Sequence, residues 1–247
     1  MNRVLLVTAL SGLLAVLAIF GTSAQNAGGG PFFYNVAMQV KPGQLQAFEE
    51  ARGRWVAHHQ EHGYPWRENV AITAENNIVR ISTRLDNGWD DVAARREWVQ
   101  NTPRANSGMA ATVDFLGSEI GQGLPELSYI PENPRFTGPE EVGFVRELRI
   151  LPNPGAGAAV RQFLADLRDA QAEADSDQPR FVGRTLIGRD TFGFGVLTPA
   201  RDIGDSYAAR EALQPIISSL SGLQGNIRRF RVIHWIPRPD LSYVPED

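Results

Sequence analysis

The chain contains no cysteine. That absence excludes cysteine nucleophiles, thiolate metal centres, iron–sulfur clusters, disulfides and an acylated cysteine anchor. A basic excess is also missing. The chain has 24 Lys and Arg against 28 Asp and Glu, a formal charge of −4 and a pI near 5.6, which argues against non-specific binding of nucleic acid or anionic lipid. There is no Gly-rich phosphate loop, nucleophile elbow, HExxH or Ser/His/Asp spacing, so hydrolase and nucleotide-binding readings have no foothold. Stability has to come from a packed core, and the apolar fraction of 43% is ordinary for one.

The N-terminus has the three-part build of a secretory signal. Asn2 and Arg3 give a basic start, Val4 to Phe20 an apolar run, and Thr22-Ser23-Ala24 a small-residue cleavage region. Residues 1–24 are therefore expected to be a signal peptide, the protein periplasmic or secreted, and membrane contact absent after cleavage. An uncleaved anchor is the alternative, disfavoured because the run falls short of about 20 residues. Residues 25–30, with three glycines, read as a flexible leader.

Beyond the leader, one phrase occurs twice: PELSYIPE from Pro125 and PDLSYVPED from Pro239. Ala93-Ala94-Arg95 returns as Ala208-Ala209-Arg210 at the same interval to within one residue. Two independent matches at one spacing indicate a tandem duplication: repeat 1 at 31–135, a linker at 136–140 and repeat 2 at 141–247. Aligned, the copies share one element order. A strand (Phe33 to Val40; Phe144 to Leu151) ends at a Pro/Gly turn, and a helix with apolar stripe Leu45, Phe48, Ala51, Trp55 or Val160, Phe163, Leu164, Leu167 follows. Two strands come next (Val70 to Ile72 and Ile78 to Ser82; Arg184 to Ile187 and Phe192 to Leu197), the first pair turning at Glu75-Asn76-Asn77. A second helix starts at Trp89 or near Asp205, and a last strand covers Thr112 to Gln122 or Asn226 to Ile236.

The order β-α-β-β-α-β is the split ferredoxin-like unit, whose bare sheet face needs a cover. The predicted fold is α+β: two tandem ferredoxin-like βαββαβ repeats whose antiparallel sheets pack as an intrachain pseudo-dimeric α+β barrel. This resembles the dimeric α+β-barrel superfamily, with its antibiotic-biosynthesis-monooxygenase-type and NIPSNAP-type members, the usual homodimer fused into one monomeric chain. The resemblance implies small-molecule handling, in the form of cofactor-independent monooxygenase-like chemistry on an apolar or aromatic compound. The alternative is a non-enzymatic periplasmic ligand-binding or protein-interaction module. The superfamily also includes haem proteins, but the second copy carries no His in either helix, so no cofactor is expected.

Candidate residues cluster in two places. HHQEHGYPW, His58 to Trp66, holds three of the four histidines. His59 and His62 continue the stripe from Trp55 and are expected to face inward, with His59 a catalytic candidate and His62, Tyr64 and Trp66 lining a pocket. No metal site is expected; the weak alternative pairs His58 with His62, four apart on a helix, with His59 or Glu61 as third ligand. The second place is His234, a candidate general base in the last strand beside the pocket candidate Trp235. Arg228, Arg229 and Arg231 read as charges guarding an exposed edge strand. The repeated phrase, rich in proline, reads as an extended tail in which Leu127, Tyr129, Leu241 and Tyr243 form a structural latch.

Overall fold

A computed structural model describes residues 29–219, 223 and 225–246; the expected signal peptide and most of the leader lie outside them. Strand β1 (Phe32–Val40), helix α1 (Leu45–Glu61), β2 (Glu68–Thr73), β3 (Ile78–Leu85), α2 (Trp89–Asn101), the single turn α3 (Met109–Thr112) and β4 (Val113–Gly123) come first. Then follow β5 (Phe144–Pro152), α4 (Gly157–Glu173), β6 (Phe181–Ile187), β7 (Phe194–Ala200), α5 (Ile203–Ser219) and β8 (Ile227–Pro237). The strands pair in the order β1-β3-β2-β8-β5-β7-β6-β4, which closes into an eight-stranded antiparallel α+β barrel. Because β8 lies between β2 and β5, its arginines do not guard an edge as the sequence implied; a closed barrel has no edges. Among the described residues no helix is long and apolar enough to cross a membrane.

Local chemistry explains the elements. In β3 the even positions of the pattern, Val79, Ile81, Thr83 and Leu85, are buried and the alternate ones are not, the period-two signature of a half-buried strand. The β2–β3 turn is held by Thr73, whose Oγ1 donates to Asn76 Oδ1 and accepts from Ile78 N at 2.9 Å, while Asn77 takes the left-handed conformation (φ 53°) that Asn tolerates better than most residues. Helix α1 stops at Gly63, φ 60°, a conformation that favours glycine.

The chain divides into two compact units. One comprises Pro31–Gly121, Leu186–Arg189 and Trp235–Asp247, and the other includes Gln122–Thr185 and Asp190–His234. Each therefore contains the phrase written at the end of the opposite half of the sequence. The core of the first unit gathers Met38, Val40, Phe48, Val70, Ile72, Val79, Ile81 and Val113 around Leu241. The core of the second gathers Ile150, Val160, Phe163, Leu164, Leu167, Val182, Phe194 and Val196 around Leu124 and Leu127. Burying one such leucine is worth roughly 1.5–3 kcal/mol.

The rest of the phrase is equally committed. It is a short 3₁₀ turn, Pro239–Leu241, with proline at its start, where a missing N–H costs nothing. Ser242 Oγ then accepts from Val70 N at 3.0 Å and donates to the Arg238 carbonyl at 2.9 Å. Tyr243 exchanges two backbone hydrogen bonds with Glu68, both 2.9 Å, and its hydroxyl donates to the Tyr64 carbonyl at 2.8 Å. In the other unit Pro125–Leu127 makes the same turn. There Ser128 Oγ accepts from Val182 N and donates to the Leu124 carbonyl, each at 2.9 Å. Tyr129 exchanges backbone bonds with Arg180 at 2.7 and 2.8 Å, and its hydroxyl reaches the Ser176 carbonyl at 2.8 Å.

Candidate functional site

The unit built on Pro31–Gly121 buries a charged cluster. Helix α1 supplies Arg52, Trp55 and His59, three and four residues apart and hence on one face. Strand β2 opens with Glu68, and β3 contributes Thr83. Arg52 is fully buried. Its Nε donates to the Leu241 carbonyl at 2.8 Å and its Nη2 to Glu68 Oε2 at 2.9 Å. Thr83 Oγ1 reaches Glu68 Oε1 at 3.4 Å. Burial works to raise the Glu68 carboxyl, but His59 and Arg52 outweigh it and hold it down at about 2.

His59, 2% exposed, sits between two partners with opposite demands. Trp55 Nε1–H lies 2.9 Å from His59 Nε2, and an indole N–H can only donate. In the neutral ring Nε2 is therefore the acceptor and Nδ1 carries the proton. The same Nε2 lies 3.5 Å from Glu68 Oε2, a distance that becomes an ion pair only when Nε2 is protonated and the indole loses its acceptor. His59 Nδ1 and Arg52 Nη1 are both buried without a partner. An unanswered buried donor costs about 1–3 kcal/mol.

Aromatic rings enclose His59. Tyr64 stacks on His59 with centroids 3.9 Å apart and planes 15° apart, and Trp98 stands edge-on to both, at 5.4 and 4.8 Å. Tyr243 approaches His59 at 5.4 Å, and Trp66 meets Tyr64 at 5.2 Å. The Tyr64 hydroxyl accepts from Arg95 Nε at 2.8 Å. Burial, followed by the Glu68 charge, pushes that hydroxyl well above the usual phenol range.

Among the sequence candidates, the structure brings His59, Tyr64 and Trp66 together. His62 is not with them: it is half-buried and pairs with His58, ring centroids 4.2 Å apart. Trp235 is buried beneath the Arg80 guanidinium, 4.3 Å from its ring centroid. His234 belongs to the other unit, its ring 5.4 Å from Phe144. Arg52 and Glu68, the charged heart of the cluster, are absent from the sequence reading. The available signal was the polar pair Arg52 and His59 at core-facing positions of the stripe that includes Phe48 and Trp55. An open groove of about 530 Å³ runs along the outer face of α2, lined by Trp89, Val92, Ala93, Arg96, Glu97 and Gln100; no histidine lines it.

The other unit carries different chemistry at the matching place beside its phrase. Arg180, buried, donates through Nε to Gln171 Oε1 and through Nη2 to the Leu164 carbonyl at 3.4 Å, and its Nη1 is unpartnered. Burial, with the nearby Arg168 charge, lowers it to about 10. Nothing there corresponds to the His59–Glu68 pair.

No family model matches the chain and no curated protein matches its sequence. Solved structures share its fold. A proposed monooxygenase from Lactobacillus acidophilus NCFM is 7% identical with a TM-score of 0.52, the match covering 88% of this chain and 99% of that one. A mutant chlorite dismutase from Candidatus Nitrospira defluvii in complex with cyanide is 10% identical with a TM-score of 0.56, covering 86% and 92%. An anthrone oxidase-like protein is 9% identical with a TM-score of 0.53, covering 84% and 91%. At such identities the likeness shows a shared α+β-barrel fold. Haem, which the resemblance brings into question, finds no axial donor in the helices of the second copy. Neither α4 nor α5 contains His, Cys or Met, Tyr207 of α5 is exposed, and His59 has Nε2 engaged and one face covered by Tyr64.

Proposed function

We propose that the protein is an exported α+β-barrel formed by two fused ferredoxin-like repeats, and that it handles a small apolar or aromatic molecule by monooxygenase-like chemistry without a cofactor. The observation that carries this reading is the buried Arg52–Glu68–His59 cluster, with His59 set among Tyr64, Trp98 and Tyr243 beside one copy of the phrase. Fold likeness to monooxygenase-type and anthrone oxidase-like proteins supports the reaction class but does not by itself establish it.

In this reading Tyr64 swings off His59 to admit an aryl ketone bearing an acidic CH₂. The C–H proton leaves to solvent base, the His59 Nδ1–H and the Arg52 guanidinium donate to the enolate oxygen and so favour its formation, and dioxygen adds at the carbanion carbon, a proton returning to the peroxide oxygen. Loss of water from the hydroperoxide leaves a carbonyl, so that R₂CH₂ and O₂ give R₂C=O and H₂O. The repeated phrases act as latches, and residues 1–24 direct export.

Anthrone in air tests the reaction. The expected result is one O₂ consumed per anthraquinone formed, with the rate down about tenfold or more in His59→Phe and retained in His234→Gln. A rate no higher than that without protein would overturn the enzymatic reading. The second reading, an interaction module without catalysis, is favoured by the packing of Tyr64, Trp98 and Tyr243 around His59, and it is the one that such a result would leave.

A further inference from the structure

We propose that His58, Glu61 and His62 bind a divalent transition-metal ion of the zinc or nickel type at the C-terminal end of α1. One ring nitrogen from each histidine and a carboxylate oxygen of Glu61 lie within 4.8 Å of one another. Spacings of three and four residues put all three on a single helix face. His58 and His62 are partly exposed and Glu61 fully so, which leaves room for water to complete the coordination shell.

The His62 ring is held as metal-binding histidines are held. His62 Nδ1 lies 3.0 Å from the His58 carbonyl. A carbonyl only accepts, so Nδ1 bears the proton and the neutral ring keeps its lone pair on Nε2. The negative pole of the α1 dipole and the Glu61 carboxylate both favour a cation here. Zinc–nitrogen bonds of about 2.0–2.1 Å in a tetrahedral site place ligands about 3.3 Å apart, so the donors close by side-chain rotation that the exposed Glu61 readily makes. His59 takes no part, because its Nε2 faces Trp55 and its ring is buried.

The test is a zinc titration of EDTA-dialysed protein against a chromophoric chelator, with cobalt(II) absorption as a second readout. One zinc per chain is expected, along with a visible cobalt band. His58→Ala and His62→Ala should each weaken zinc binding about tenfold or more and abolish the band. Glu61→Gln should weaken it less, and His234→Gln should leave it unchanged. Circular dichroism of each variant separates loss of a ligand from loss of fold. Absence of zinc binding in the wild type, or an affinity and stoichiometry unaltered in both alanine variants, would overturn the proposal.

Discussion

Around its leucine-serine-tyrosine phrase, one unit buries Arg52, His59 and Glu68; at the matching positions of the other stand Leu164, Gln171 and Arg180. The two phrases share their strand-pairing contacts, a serine hydroxyl on a β-strand N–H and a tyrosine hydroxyl on a loop carbonyl. What is equal in the two units closes the fold, and what differs is free to do something else. The charge balance differs most. Arg52 faces a carboxylate at 2.9 Å, whereas Arg180 is bonded only to neutral groups.

Charge removal should expose that difference most strongly. Arg52→Met leaves Glu68 buried without its counter-charge and should cost about 3–5 kcal/mol in urea unfolding. Arg180→Met removes an uncompensated cation and should change stability by no more than about 1 kcal/mol; equal losses would erase the distinction between the units. Acid sharpens the same contrast. The folded-state pKa of Glu68, about 2, lies below the ordinary 4.5, so across that window the unfolded chain binds more protons and stability rises with pH. The contribution is complete above roughly pH 4.5 and is lost as pH falls toward 2. Glu68→Gln should therefore flatten the acid limb of a stability–pH curve, and an unchanged limb would show that Glu68 is not the group responsible.

Smaller effects test the likeness instead. Ser128→Ala and Ser242→Ala each strand a strand N–H, of Val182 and Val70 respectively, and should each cost about 1–2 kcal/mol by chemical denaturation. Tyr129→Phe and Tyr243→Phe remove one hydroxyl bond each and should cost about 1 kcal/mol apiece. Unequal losses within either pair would mean that the phrases are not equivalent.

Much of the architecture was legible in the sequence. Val79 and Ile81 align with Phe194 and Val196, and all four are buried on one face of their strands, because period-two burial leaves an unambiguous mark. Glu75-Asn76-Asn77 turns where its composition says it should. The charged cluster was harder to see. Glu68 precedes the apolar run of β2, where an acid normally reads as solvated, and only its register against Thr83 takes it inside. Arg52 looks like a surface helix residue until Glu68 and the Leu241 carbonyl are known to face it. Nor does the phrase state which half it will serve. Leu127 and Leu241 advertise burial, but the partner helix of each lies on the far side of a chain crossing that local pattern cannot encode. The inference that β8 is an edge failed for the same reason, since pairing partners are a property of the closed barrel and not of the strand.

That crossing is the central claim: the last residues of the chain stabilise the first half of the fold. Hydrogen exchange of the Leu241→Ala variant tests it directly. Truncation should cost about 2–5 kcal/mol, and the amides that lose protection should fall in α1 and β2, Leu45–Glu61 and Glu68–Thr73. Loss of protection centred on α4 and β6, Gly157–Glu173 and Phe181–Ile187, with α1 and β2 unchanged, would contradict it.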